Sequence, residues 1–120
     1  MTESIRKLDD VHVGTRDLRE FLTVHDEERV NQTMRRAAAL NDRIGGRTVW
    51  NINSTAVGGG VAEMLQSMLA FTRGLNIDAR WLVINGSPEF FRFTKRLHHA
   101  LHGEAGDGSS IGPEQRKVYE

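Results

Sequence analysis

Three consecutive glycines stand between an apolar, strand-like run and an apolar, helix-like run in "WNINSTAVGGGVAEML", residues 50–65. Glycine costs backbone entropy, so a run of three implies a turn that other residues cannot make, or a main chain that something must approach closely. Upstream, "RTVWNIN" (Arg47 to Asn53) reads as a strand with Val49, Trp50 and Ile52 as its apolar content. Downstream, Val61 to Arg73 reads as a helix that is apolar on most sides (Val61, Ala62, Met64, Leu65, Met68, Leu69, Phe71) and therefore mostly buried, with Gly74 as its cap. "DARWLVIN" (Asp78 to Asn85) is a second strand. A further helix opens with Ser87 as cap, Pro88 at its first position and Glu89 in its first turn, and its apolar face is Phe90, Phe93 or Thr94, Leu97 and Leu101.

The rest of the chain is arranged around this core. Asp26 to Ile44 has helical spacing of Val30, Met34, Ala37 and Ile44, acidic residues at its start and Gly45-Gly46 as a stop. Within residues 1–25, "DVHVG" alternates like a short strand and "DLREFLTV" suits a helical turn. "GEAGDGSSIG" (Gly103 to Gly112) is a flexible loop by composition, and "PEQRKVYE" begins a helix at which the sequence stops. A strand-helix-strand crossover of this length implies parallel strands and an α/β sandwich. The expected organisation is an N-terminal extension (1–25), a partial Rossmann-like domain (26–102), and a loop with the start of a helix (103–120). Two or three parallel strands leave apolar faces uncovered, which predicts self-association and reads as a piece of a larger fold.

Composition removes several function classes. The 120 residues carry 16 basic and 16 acidic side chains, so the zero formal charge gives no sign of a nucleic-acid partner. The absence of cysteine excludes disulfides and thiolate metal sites and points to the cytoplasm. No run is long enough for a membrane span, and the N-terminus lacks a signal-peptide core.

A strand, a glycine turn and a helix N-terminus together make an anion site, because free amides and the helix dipole face whatever sits there. Ser54 and Thr55 add hydroxyls at the carboxyl end of the strand, where α/β sheets take ligands. A P-loop is rejected, since Val61 and Ala62 follow Gly60 where lysine and serine or threonine are required. The dinucleotide fingerprint fits poorly: Glu63 holds its third glycine position, and Asp78 precedes the second strand instead of ending it. A glycine turn serving packing alone remains an alternative. Glu63 itself reads equally well as a ligand contact or, with Gly60 as the cap, as a glutamate bonding back to the cap amide. His98 and His102 share a helix face as half a zinc site would, but no glutamate or cysteine completes it; a solvated face and no metal are expected. The basic face of Arg92, Lys95 and Arg96 reads as solvated.

Two blocks, "NSTAVGGGVAEML" and "EFFRFTKRLHHALHG", separated by the strand "IDARWLVI", resemble the N-terminal domain of the glycosyltransferring trehalose synthases. The resemblance covers residues 49–103. It implies a partial GT-B N-terminal parallel sheet flanked by helices. It also implies a retaining transfer of glucose from a nucleotide-glucose (ADP- or UDP-glucose) to glucose, forming trehalose without metal or other cofactor. Ser54, Thr55, Gly58, Gly59, Gly60 and Glu63 would then lie at the donor phosphate and substrate, and Lys95 and His98 on the acceptor side. The family favours asparagine where this chain has His99, which weakens His99 as a contact. Family members carry a second Rossmann-like domain that holds most of the donor, so these 120 residues alone are expected to be inactive. The competing expectation is a non-enzymatic α/β module that binds a sugar, a nucleotide or a protein.

Overall fold

A computed structural model describes residues 8–120. The first seven residues of the expected N-terminal extension lie outside the described residues. The elements run β1 (Leu8–Val11), a 3-10 turn (Leu18–Thr23), α1 (Glu27–Ile44), β2 (Val49–Asn53), α2 (Gly60–Gly74), β3 (Ala79–Ile84), α3 (Pro88–Leu101) and α4 (Pro113–Tyr119). The chain divides into two compact units, one ending at Ile84 and the other spanning Asn85–Glu120.

The first unit is built on a three-stranded sheet of order β1-β3-β2. β2 and β3 are parallel, with Asn51 opposite Trp81 and Ile52 opposite Leu82, as the crossover through α2 requires. β1 is antiparallel to β3, with Leu8 opposite Ile84. The sheet is therefore mixed, not parallel throughout. A chain that reaches β1 first can lay it along β3 in either direction, because no single crossover links the two.

The core lies between one face of this sheet and α2. It holds Val13, Ala62, Leu65, Leu69, Ala70, Ala79 and Trp81, with Val11, Ala56 and Val83 packed against it. Trp81 is fully buried and donates its indole N–H to Asn53 Oδ1 at 2.8 Å. α2 is not buried on most sides. Only the face of Ala62, Leu65, Leu69 and Ala70 is covered, while Val61, Met64 and Met68 are 58%, 56% and 45% exposed. Apolar composition sets how much a helix could bury; the number of layers sets how much it does.

The other face of the sheet shows the same shortage. Trp50 and Ile52, which pair with Arg80 and Leu82, point away from the Trp81 core and stay 49% and 56% exposed. The Arg80 guanidinium lies 5.5 Å from the centre of the Trp50 ring, a favourable cation–π contact.

Gly74 is not the cap after α2. The helix runs through it, Leu75 is the C-cap, and Asn76 takes the left-handed backbone at φ 60°. What Gly74 supplies is space. A Cβ there would stand 1.8 Å from the Arg16 carbonyl oxygen. The Arg16 amide donates to the Ala70 carbonyl at 2.9 Å, and the Arg16 guanidinium covers the Phe71 ring at 4.6 Å. Phe71 also meets Phe21 of the 3-10 turn, with ring centres 4.8 Å apart. These contacts hold the segment before α1 against the end of α2.

α1 starts on Asp26, whose side chain accepts from the Arg29 amide, and stops on Gly45 at φ 62°. In the second unit, the Ser87 hydroxyl accepts from the Phe90 amide and Pro88 opens α3. Tyr119 of α4 stacks on Phe90 at 5.7 Å and meets Phe93 edge-on. Leu101, expected on the apolar face, is 79% exposed. The segment between α3 and α4 is tied down more than its composition suggests. Asp107 accepts from the Ser109 amide and hydroxyl at 3.0 and 2.6 Å, and Arg96 bonds the Ser109 carbonyl and pairs with Asp107. No described helix is long and apolar enough to cross a membrane.

Candidate functional site at the glycine loop

Asn53 ends β2, and its side chain is fixed by the buried Trp81 indole. Ser54 follows, exposed. The Thr55 hydroxyl then closes a short turn, donating to the Val57 carbonyl at 2.6 Å and accepting from the Val57 amide at 3.2 Å. Gly58 and Gly59 adopt φ values of 74° and 79°, conformations that residues with a side chain rarely take. Gly59 is the N-cap of α2 and has no side chain with which to bond the first-turn amides. The first helical bond runs from the Glu63 amide to the Gly59 carbonyl at 3.4 Å.

Gly60 differs from its two neighbours. Its backbone is ordinary, and a Cβ added there would meet nothing within 4 Å. Neither conformation nor packing within the described residues asks for glycine. At a helix start this costs stability relative to alanine, and no side chain of the N-cap Gly59 bonds the first-turn amides. A Cβ at Gly58, Gly59 or Gly60 would meet nothing within 4 Å, so close packing explains none of the three, while the turn conformation accounts for Gly58 and Gly59.

Because Gly59, not Gly60, is the cap, Glu63 is the fourth helical residue and not the third. It is one place beyond the position from which a glutamate bonds back to the cap amide. That leaves its exposed carboxylate pointing from the first turn of α2, on the same short segment as Ser54, Thr55 and the glycines.

Asp78 stands at the other end of the strands. It precedes β3 and accepts from the Thr48 hydroxyl at 2.6 Å and from Arg80 Nε at 3.1 Å. The Thr48 bond, then the Arg80 bond, holds its carboxyl below the usual aspartate range. It lies at the amino ends of β2 and β3, the opposite end of β2 from the loop, where it clasps Thr48 and Arg80.

Lys95 and His98 belong to the second unit. They lie three residues apart on α3 and are both exposed. His99 Nδ1 is 3.1 Å from a Glu104 carboxylate oxygen, which gives it a structural partner at the end of the helix. Among the described residues no group of three or more histidine or carboxylate side chains converges as a metal site. Asn53 is the residue that reading the sequence missed. The signal was a polar side chain at the last position of β2 and a tryptophan in the neighbouring strand.

The strand, loop and helix start coincide with a known sequence family. The family model for the trehalose synthase N-terminal domain matches residues 51–120. The chain belongs to this family. Among relatives of the trehalose synthase N-terminal domain, the trehalose synthase of Pyrococcus horikoshii is 38% identical over 106 residues, which is 88% of this chain and 24% of that protein. The trehalose synthase of Rubrobacter xylanophilus is 37% identical over 81 residues, 68% of this chain and 19% of that protein. A trehalose phosphorylase of Grifola frondosa is 47% identical over 53 residues, 44% of this chain and 7% of that protein. The chain thus spans about a quarter or less of the curated trehalose synthases it matches.

Proposed function

We propose that this chain supplies the glycine-loop portion of a retaining glucosyltransferase that makes trehalose from a nucleotide-glucose and glucose. The observation that carries the reading is Gly60, a glycine that neither backbone conformation nor neighbouring atoms require. Leaving the first-turn amides of α2 bare suits a phosphate or sugar oxygen resting on the helix N-terminus. In the transfer, the bond from the glucose anomeric carbon to the diphosphate breaks, one to the acceptor oxygen forms, and the proton of that acceptor hydroxyl passes to the departing diphosphate. Charge collects on the departing diphosphate, where amide donors stabilise it. Ser54 and Thr55 offer hydroxyls at the same strand end, and Glu63 a carboxylate for a sugar hydroxyl. Lys95 and His98, on the second unit taken by itself, are proposed as sugar contacts. The sheet is proposed to be part of a GT-B N-terminal domain, with ADP- and UDP-glucose equally suitable donors.

A second reading, phosphorolysis of trehalose, is favoured by the match to relatives named trehalose phosphorylase. The same amides suit inorganic phosphate.

The test is titration of the 120-residue chain with UDP-glucose, ADP-glucose, glucose and inorganic phosphate, followed by amide NMR. Affinity near the millimolar range, about 4 kcal/mol, is expected, with the Val61 and Ala62 amides moving first. A nucleotide-glucose response favours transfer and a phosphate-only response favours phosphorolysis. Unmoved loop amides at saturating ligand overturn both. The 120 residues alone are expected to make no trehalose, since losing even one oxyanion donor typically costs about 100- to 1000-fold and the matched part is 24% and 19% of those two trehalose synthases.

A further inference from the structure

We propose that the carboxyl end of α3 carries a two-imidazole site for a divalent transition-metal cation, formed by His98 and His102.

The two rings lie side by side at a centroid distance of 4.3 Å, tilted by 33° between their planes. Two nitrogens bound to one tetrahedral zinc at about 2.0–2.1 Å are roughly 3.3 Å apart. Rings this close can present nitrogens at that spacing with small side-chain rotations. His102 Nδ1 lies 2.9 Å from the His98 carbonyl oxygen. A carbonyl can only accept, so Nδ1 is the donor in this contact, and in the neutral ring that leaves the lone pair on Nε2. A ring nitrogen held by a backbone carbonyl while the other faces outward is the arrangement that orients metal-binding histidines and raises their basicity. Both side chains are exposed.

The end of a helix also favours a cation, because the last carbonyls carry partial negative charge. The His99–Glu104 pair is the neighbouring titratable feature, and its two side chains already engage each other. With two protein ligands, water completes the coordination. This is an open surface site, not a closed structural one, and the short ligand count that argues against structural zinc does not bear on it. Imidazole pairs suit zinc, nickel and copper(II).

His98 is also proposed above as a sugar contact, so zinc is titrated with no sugar or nucleotide present, and a failure here leaves the glycine-loop reading standing. Its test is zinc titration of the untagged chain by calorimetry at pH 7.5, with the histidine ring signals followed by NMR. One equivalent of zinc is expected to bind and to shift His98 and His102 before His12 and His25. H98Q and H102Q should each weaken binding at least tenfold, and H25Q should leave it unchanged. The two substitutions are at exposed positions, and each tests the site separately. Parent-like zinc affinity in either H98Q or H102Q overturns the proposal. So does the absence of saturable binding by the parent chain, or first movement of the His12 or His25 signals.

Discussion

Trp81 and Asn53 sit on adjacent parallel strands, and the fully buried indole N–H of the first finds its acceptor, at 2.8 Å, in the side chain of the second. The bond satisfies a polar atom at the centre of the core and fixes the last residue before the glycine loop. Asn53→Leu removes the acceptor and leaves the donor buried, at an expected cost of about 1–3 kcal/mol. Trp81→Phe in the Asn53→Leu background removes the orphaned donor. Urea denaturation of the four proteins in this cycle should give strongly non-additive free energies. Additive losses would show that the bond contributes nothing.

Gly60→Ala separates stability from binding. The position has ordinary backbone and open space, so alanine should be neutral or stabilise by up to about 1 kcal/mol. The added methyl should nonetheless weaken nucleotide-glucose binding. Gly59→Val is a poorer probe, because at φ 79° a valine is strained whatever binds. Thermal unfolding and titration of the Gly60→Ala chain check both halves of the expectation. A stabilised variant with parent-like affinity would show that ligand access is not why glycine stands at this position.

Gly74→Ala should damage the first unit. The new Cβ would fall 1.8 Å from the Arg16 carbonyl oxygen, which is backbone and has little room to yield. Overpacking of this kind costs roughly 1–3 kcal/mol. The expected signature is a lower Tm together with faster exchange of the Arg16 amide, whose bond to Ala70 must lengthen.

Acid should weaken the fold in part through Asp78. Its folded pKa is lowered, first by the Thr48 hydrogen bond and then by Arg80. A lowered carboxylate contributes stability that is fully present above its unfolded value of about 3.9. That contribution is lost as the pH falls through the lower folded value. Asp78→Asn should reduce stability at neutral pH and flatten the acid limb of a pH–stability profile. An unchanged acid limb would mean that the clasp does not persist in solution.

The bare sheet face should make the chain associate at high concentration. Trp50 and Ile52 are about half exposed on it, and Ile52→Lys places a charge on that face, at the edge strand β2. Sedimentation should show concentration-dependent association of the parent that the variant reduces. A parent that stays monomeric across the range would argue that Arg80 shields Trp50 well enough.

Much of this architecture could be read from local chemistry. Asp26 and Ser87 as caps, Pro88 at a helix start and Gly45 at a helix end all act within four residues, and each stands where its side chain predicts. The parallel pairing of β2 with β3 followed from the crossover through α2. What depended on distant contacts was not legible. Gly74 reads as a cap from its neighbours, yet it is glycine because Arg16 passes against it. α2 reads as mostly buried, yet one layer of sheet covers only one of its faces. At the loop, the three glycines were visible as a group. That Gly58 and Gly59 hold positive φ while Gly60 does not required the backbone angles.

The sheet order also has a consequence for biosynthesis. β1 emerges from the ribosome early, but its partner register runs from Trp81 to Ile84. Leu8 to Val11 must therefore wait until β3 has been translated before their main-chain groups can pair. β2, though also made before β3, waits on the same strand. Among the described residues all the strand pairing converges on Ala79–Ile84, the last of the three strands to be made, and a ribosome that pauses before it holds β1 and β2 without their partner.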